Sequence, residues 1–174
     1  IILPSSITKI EDNEFHGYSS LREIIISSSV TSIGNYAFSK CTSLKRIIIP
    51  SSVASIGNFA FNECSSLTEI SIPDSIRLIG DSIFKKCTLL RQITIPSSVK
   101  SIGNYAFSDC SSLARISFET PSYLTSIRYS AFNGCSSLTE ITIPSYVTEI
   151  GSYAFSACSS LKKVVIPTSV ISIR

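Results

Sequence analysis

Ile33-Gly34-Asn35-Tyr36-Ala37-Phe38-Ser39-Lys40-Cys41-Thr42-Ser43-Leu44-Lys45-Arg46-Ile47-Ile48-Ile49-Pro50 decides the fold, because the chain writes this stretch nearly seven times. Phe15, Phe38, Phe61, Phe84 and Phe107 follow one another at intervals of 23 residues, Phe132 comes after 25 and Phe155 after 23. A fixed period of this length is the mark of stacked repeats, each unit too small to bury its own apolar face. Working outward, Leu67-x-x-Ile70-x-Ile72 alternates with period 2 and reads as a short strand with Ile70 and Ile72 turned inward. Pro73 cannot donate to a ladder and ends that strand at a corner. Ile76 and Ile79 supply the next apolar contacts from a bent extended segment, and Gly80 turns the chain.

The column Asp12, Asn35, Asn58, Asp81, Asn104 and Ser152 holds residue types that cap helix N-termini. A single helical or 3₁₀ turn is therefore expected over Ala37-Phe38 and its equivalents. The Ser/Thr pair after each cysteine leads back to the next strand through local side-chain bonds. Stacked in register, the strands form a parallel sheet spaced about 4.8 Å apart. The seven phenylalanines and Leu21, Leu44, Leu67, Leu90, Leu113, Leu138 and Leu161 become inward ladders.

Cys41, Cys64, Cys87, Cys110, Cys135 and Cys158 each lie three residues after a phenylalanine. Their spacing has no C-x-x-C element, so a metal site is a poor reading. Neighbouring Cβ vectors should run parallel into the core rather than toward each other, which opposes disulfides. Buried thiols packed as small hydrophobes are the expectation.

The pattern Leu-x-x-Ile-x-Ile-Pro-x-x-Val-x-x-Ile-Gly-x-x-Ala-Phe-x-x-Cys, as it stands from Leu44 to Cys64, resembles the BspA-like class of leucine-rich repeats. The resemblance covers essentially the whole chain. It implies a right-handed solenoid with a parallel β-sheet on the concave face and short helical or 3₁₀ turns and extended segments on the convex side. It also implies a cell-surface or secreted protein that adheres to host matrix proteins, to cells or to other microbes. Glu11, Arg128 and Arg174 depart from the pattern at the glycine position, and Tyr18 stands where the first coil would carry cysteine. Residues 1–174 read as one array of about seven repeats that opens and closes in mid-repeat. A piece of a longer array with uncapped ends is expected, and such ends raise end-to-end self-association.

The candidate binding residues are the outward positions of the strands. Arg22, Lys45, Thr68, Arg91, Ala114, Thr139 and Lys162 form a column that is never acidic. The next column, Glu23, Arg46, Glu69, Gln92, Arg115, Glu140 and Lys163, never places like charges side by side. These columns either fix register and solvate the face, or dock an acidic protein partner. Ile25 and Ile48 add exposed aliphatic surface beside Arg22, Lys45 and Arg46, the arrangement of a contact site. The period breaks at Glu119-Thr120, two extra residues followed by Tyr123, which shares a column with Tyr146. Insertions in such arrays map to loops, often on a binding face; the alternative is a tolerated insertion with the tyrosines packed over the rim. Tyr129 lies close by in sequence.

Other functions are disfavoured. A formal charge of +3 lacks the dense basic stripe that nucleic acid needs. The longest purely apolar run is three residues, too short for insertion into a membrane. His16 is the only histidine, the glycines recur once per coil without a phosphate-cradling cluster, and no cofactor or catalytic group is expected. The expectation is a protein-binding module, with an extracellular-matrix or other acidic protein ligand. The alternatives are a structural spacer, a self-assembling scaffold or an intracellular interaction module.

Overall fold

Two strands and a ribbon of turns close every coil in the computed structural model, which describes residues 1–174. The longer strands, Glu23–Ile25, Arg46–Ile48, Glu69–Ser71, Gln92–Ile95, Arg115–Phe118, Glu140–Thr142 and Lys163–Val165, lie parallel on one side and form the main face. Their pairing runs Glu23 to Arg46, Arg46 to Glu69, Gln92 to Arg115 and Glu140 to Lys163, so each residue sits opposite its repeat equivalent. A second parallel ladder of two-residue strands follows the corner, from Lys9–Ile10 through Ser32–Ile33 and Leu78–Ile79 to Ser172–Ile173. The bent segment read around Ile76–Ile79 is part of that ladder.

No helix forms on the opposite side. The expected helical turn over Ala37-Phe38 is instead a ribbon in which the N–H groups of Tyr36, Phe38 and Lys40 donate to the carbonyls of Asn58, Ala60 and Asn62 one coil on (3.0, 2.8 and 2.8 Å). The intervening N–H groups fold back: Ser39 donates to Tyr36 O and Cys41 to Phe38 O. The reason is directional. A helix points its N–H groups along its own axis, whereas this segment runs across the stack and must send them toward the neighbouring coil. One isolated helical turn has no stability to compete with that ladder. The ribbon requires left-handed backbone twice per coil, at Tyr36 (φ 56°) and Lys40 (φ 61°) and at their equivalents.

The asparagine and aspartate column also does something other than cap a helix. Asp12 Oδ1 accepts the N–H of Asn35 at 2.7 Å, and Asn35, Asn58 and Asp81 repeat this toward Asn58, Asp81 and Asn104. The side-chain oxygens of Asp12, Asn58 and Asp81 lie beneath Gly34, Gly80 and Gly103 of the next coil. A Cβ on Gly103 would stand 2.5 Å from Asp81 Oδ1, so close approach selects glycine here. The ladder stops where Arg128 and Tyr129 replace the glycine–asparagine pair.

One continuous core runs from Ile10 to Cys158. Phe38, Phe61, Phe84, Phe107 and Phe132 are fully buried and stack with ring centroids 5.3–5.6 Å apart. Phe15 and Phe155 extend the stack at its partly buried ends. Burial of each phenyl ring contributes about 1.5–3 kcal/mol, and ring pairing about 0.5–1.5 more. All six cysteines are buried and unpaired. Each thiol donates to the carbonyl of the phenylalanine in the preceding coil, as Cys64 Sγ does to Phe38 O at 3.1 Å.

Candidate functional site

A recessed region of the main face has walls built where the repeat departs from itself. In most coils the serine before the core Val or Ile donates its hydroxyl to a carbonyl of the preceding coil. Ser29, Ser52, Ser75, Ser98 and Ser169 reach Ile7, Val30, Val53, Ile76 and Val147 at 2.5–2.7 Å. Tyr123 and Tyr146 occupy this same column and cannot make that bond. Their rings stack on each other instead, centroids 6.1 Å apart, and stand 52% and 57% exposed. Two coils thus forgo a structural hydrogen bond for a pair of outward aromatic rings.

The insertion stands beside the first of them. Glu119 is exposed, but its carboxylate accepts the N–H of Ser97 at 3.0 Å, and its own N–H donates to Ile95 O. Glu119 therefore anchors the loop to the preceding coil, which reduces its freedom to meet a ligand. Between this loop and the strand ladder lies an open groove of about 1010 Å³, lined by Arg91, Arg115, Glu119, Glu140, Tyr146 and Lys163 among others. Arg91 and Arg115 take part in no ion pair within 4 Å, and Arg115 sits opposite neutral Gln92. The lining sets Arg91, Arg115 and Lys163 against Glu119 and Glu140, which leaves an excess of one positive charge. Its floor, Ser117 and Thr142, offers hydroxyls.

The N-terminal candidates lie apart from this groove. Arg22, Lys45 and Arg46 are exposed, and Arg46 meets Glu23 at 3.5 Å. Ile25 and Ile48 are exposed and directly paired across the strands. Arg91 is the one basic residue of its column that belongs to the groove. The candidate residues thus form two groups on one face, with Ser71 and Thr94 between them.

A third surface escaped the sequence reading. On the ribbon flank Tyr36 stacks on Phe59 at 4.6 Å, and Tyr129 meets Tyr105 and Tyr153 edge to face at 5.2 and 5.7 Å. Lys85 Nζ lies 5.0 Å from the centre of the Tyr105 ring. The period placed Tyr36, Phe59, Tyr105 and Tyr153 in one column, which was the available signal. That the column faces outward depends on the left-handed backbone, which the sequence does not announce. His16 is exposed, with its ring edge toward Tyr36.

Comparison with known proteins follows the geometry. The family model described as the BspA type leucine rich repeat region matches residues 1–114 and 78–174, in six copies. Among solved structures, the T. pallidum leucine rich repeat protein TpLRR is 33% identical, with a TM-score of 0.83 over 93% of this chain and 77% of its own. A leucine-rich repeat protein from Eubacterium ventriosum is 29% identical with the same TM-score, over 96% of this chain and 44% of its own. The pneumococcal vaccine antigen PcpA is 25% identical with a TM-score of 0.70, over 98% of this chain and 51% of its own. Curated proteins give no match.

Proposed function

The chain belongs to the BspA-type leucine-rich repeat family, generally protein-interaction and surface proteins, and from that premise we propose that it is a surface-displayed adhesion module. It docks an acidic segment of a host, matrix or neighbouring-cell protein in the groove between Arg91 and Tyr146. The observation that carries this reading is the replacement of two structural serines by the stacked, exposed pair Tyr123 and Tyr146, of which Tyr146 lines the groove together with Arg91 and Arg115. Tyrosine and arginine are the residues most enriched among those that dominate binding energy. Exposed arginines steer an acidic partner and set its orientation. Display at a cell surface accords with the similarity to a vaccine antigen. The binding role itself needs no bound metal or cofactor.

The test is saturable binding of the purified chain to immobilised fibronectin, laminin and collagen and to an epithelial cell layer. The Tyr123→Ser/Tyr146→Ser and Arg91→Ala/Arg115→Ala variants are measured beside it. At least one surface should bind, with affinity falling tenfold or more in either double variant. Binding that both double variants leave intact, or none to any surface, would contradict the proposal.

A further inference from the structure

The first coils carry a second docking surface, independent of the groove. Ile2, Ile25 and Ile48 form a three-rung aliphatic strip on the solvent side of the main face, in register and 75%, 52% and 66% exposed. Packing does not require it. The same column continues as Ser71, Thr94, Ser117 and Thr142 before ending at Val165, and the strand pairing passes from Ile48 to Ser71 without interruption. A hydroxyl side chain therefore serves the fold equally well at these positions, and isoleucine there exposes apolar surface that the fold leaves unused.

Two further features qualify the strip. A cleft of about 140 Å³ opens between the Ile25 and Ile48 rungs, bounded by Glu23, Arg46 and Pro50. That volume equals roughly four to five water molecules, the scale of one aliphatic side chain. The cleft's own charges, Glu23 and Arg46, cancel, and the excess positive charge comes from Arg22 and Lys45 on the same two coils. Arg46 is engaged by Glu23 at 3.5 Å, while Arg22 and Lys45 have no acidic partner within 4 Å. Arg22 and Lys45 are neighbours in their column, joined by the Lys45 N–H to Arg22 O bond. Aliphatic surface edged by two unpaired cations is complementary to a chain alternating aliphatic and acidic side chains.

We propose that Ile2, Ile25 and Ile48, with Arg22 and Lys45, dock an acidic polypeptide segment that seats one aliphatic side chain in the cleft between Ile25 and Ile48. The partner's carboxylates meet Arg22 and Lys45, and Arg46 stays with Glu23. This surface is separate from the Arg91–Tyr146 groove, so a single long partner can engage both, or two partners one each.

The probe is an N-acetylated peptide alternating leucine and glutamate, compared by titration with alternating serine–glutamate and leucine–lysine peptides. Leucine–glutamate should bind saturably, the other two at least tenfold more weakly. Ile25→Ser/Ile48→Ser and Arg22→Glu/Lys45→Glu should each reduce its affinity tenfold or more, with melting temperatures close to the parent's. Tyr123→Ser/Tyr146→Ser should leave it unchanged, so failure here is distinguishable from failure of the groove. Equal binding of the serine–glutamate peptide, indifference to the isoleucine variants, or loss only in the tyrosine variant would overturn the assignment. So would concentration-dependent self-association that Ile48→Ser abolishes in the absence of peptide binding, since the strip would then be a contact between copies.

Discussion

At the scale of single residues, the cysteines show how much a column can hide. Phe38 O accepts the N–H of Cys41 at 3.1 Å and the thiol of Cys64 at 3.1 Å, using both lone pairs. Burial disfavours the thiolate: it pushes Cys41 up to about 11 and Cys110 up to about 12, and it raises Cys64, Cys87, Cys135 and Cys158 as well. Unfolded thiols ionise near about 8.5. Above that value the unfolded chain binds fewer protons than the folded one, so stability falls as pH rises until the folded thiols titrate, from about 11 upward for Cys41. Each buried thiol contributes about 1.4 kcal/mol per pH unit to this slope. Urea unfolding between about pH 8 and pH 10 should show it, and Cys87→Ala/Cys110→Ala should flatten it. A slope unchanged by that variant would contradict the assignment. Burial of the thiols was legible from their spacing after phenylalanine. Their acceptor was not, because it comes from the preceding coil, 26 residues earlier in the chain.

Glycine gives a second prediction at this scale. Gly103→Ala places a Cβ against Asp81 Oδ1 and the backbone of Asp81, and should destabilise by about 1–3 kcal/mol as overpacking does. Asp81→Ala/Gly103→Ala should recover part of that loss in thermal melting, since the oxygen that blocks the Cβ is gone. An additive double variant would show that the clash is not the cause. The sequence displayed the glycine–asparagine pairing but not its meaning. Asparagine before an apolar run is also how a helix begins, and local pattern alone does not separate the two.

Among elements, the ribbon is where sequence and structure part. Its residues suit a helical turn, yet the inter-coil bonds of Tyr36, Phe38 and Lys40 win because they repeat at every coil. The distinction has a sign. Lys40 lies at φ 61°, and Gly17 and Gly134 hold the same place in their coils. Lys40→Gly should therefore stabilise, by up to about 1 kcal/mol, by relieving left-handed strain. In a helix interior the same change would cost about 0.5–1 kcal/mol. Chemical denaturation of the variant decides between them. The tyrosine rim belongs to this scale too. Tyr146→Ser restores a hydroxyl able to donate to the Leu124 carbonyl, so thermal stability should hold or rise while partner binding falls. Matched loss of stability and binding would make Tyr146 a structural residue instead.

Across the whole molecule, the strand alternation, the corners and the phenylalanine stack could be read from one 23-residue unit, because every unit meets the same neighbours. The surfaces proposed to bind lie where that sameness fails: at Glu119–Tyr123, at Tyr146, and along Ile2, Ile25 and Ile48. Their residues were identifiable by departure from the repeat. Their grouping into a groove and a separate strip was not, since it depends on which way the inserted loop leans and which charges are already paired. Glu119 illustrates this, since its carboxylate accepts the N–H of Ser97 in the preceding coil.

The account rests on each unit closing one rung in register with the next. The direct measurement is cooperative thermal unfolding of two deletions, one removing residues 58–80 and one removing residues 58–69. The first joins Gly57 to Asp81 and keeps every ladder aligned, so it should retain native-like circular dichroism and a single sharp transition. The second joins Gly57 to Ile70 and leaves half a coil without Phe61 or Leu67, which cannot close a rung, so it should lose that transition. Equal cooperativity in both deletions, or loss in both, would contradict the stacked-rung fold.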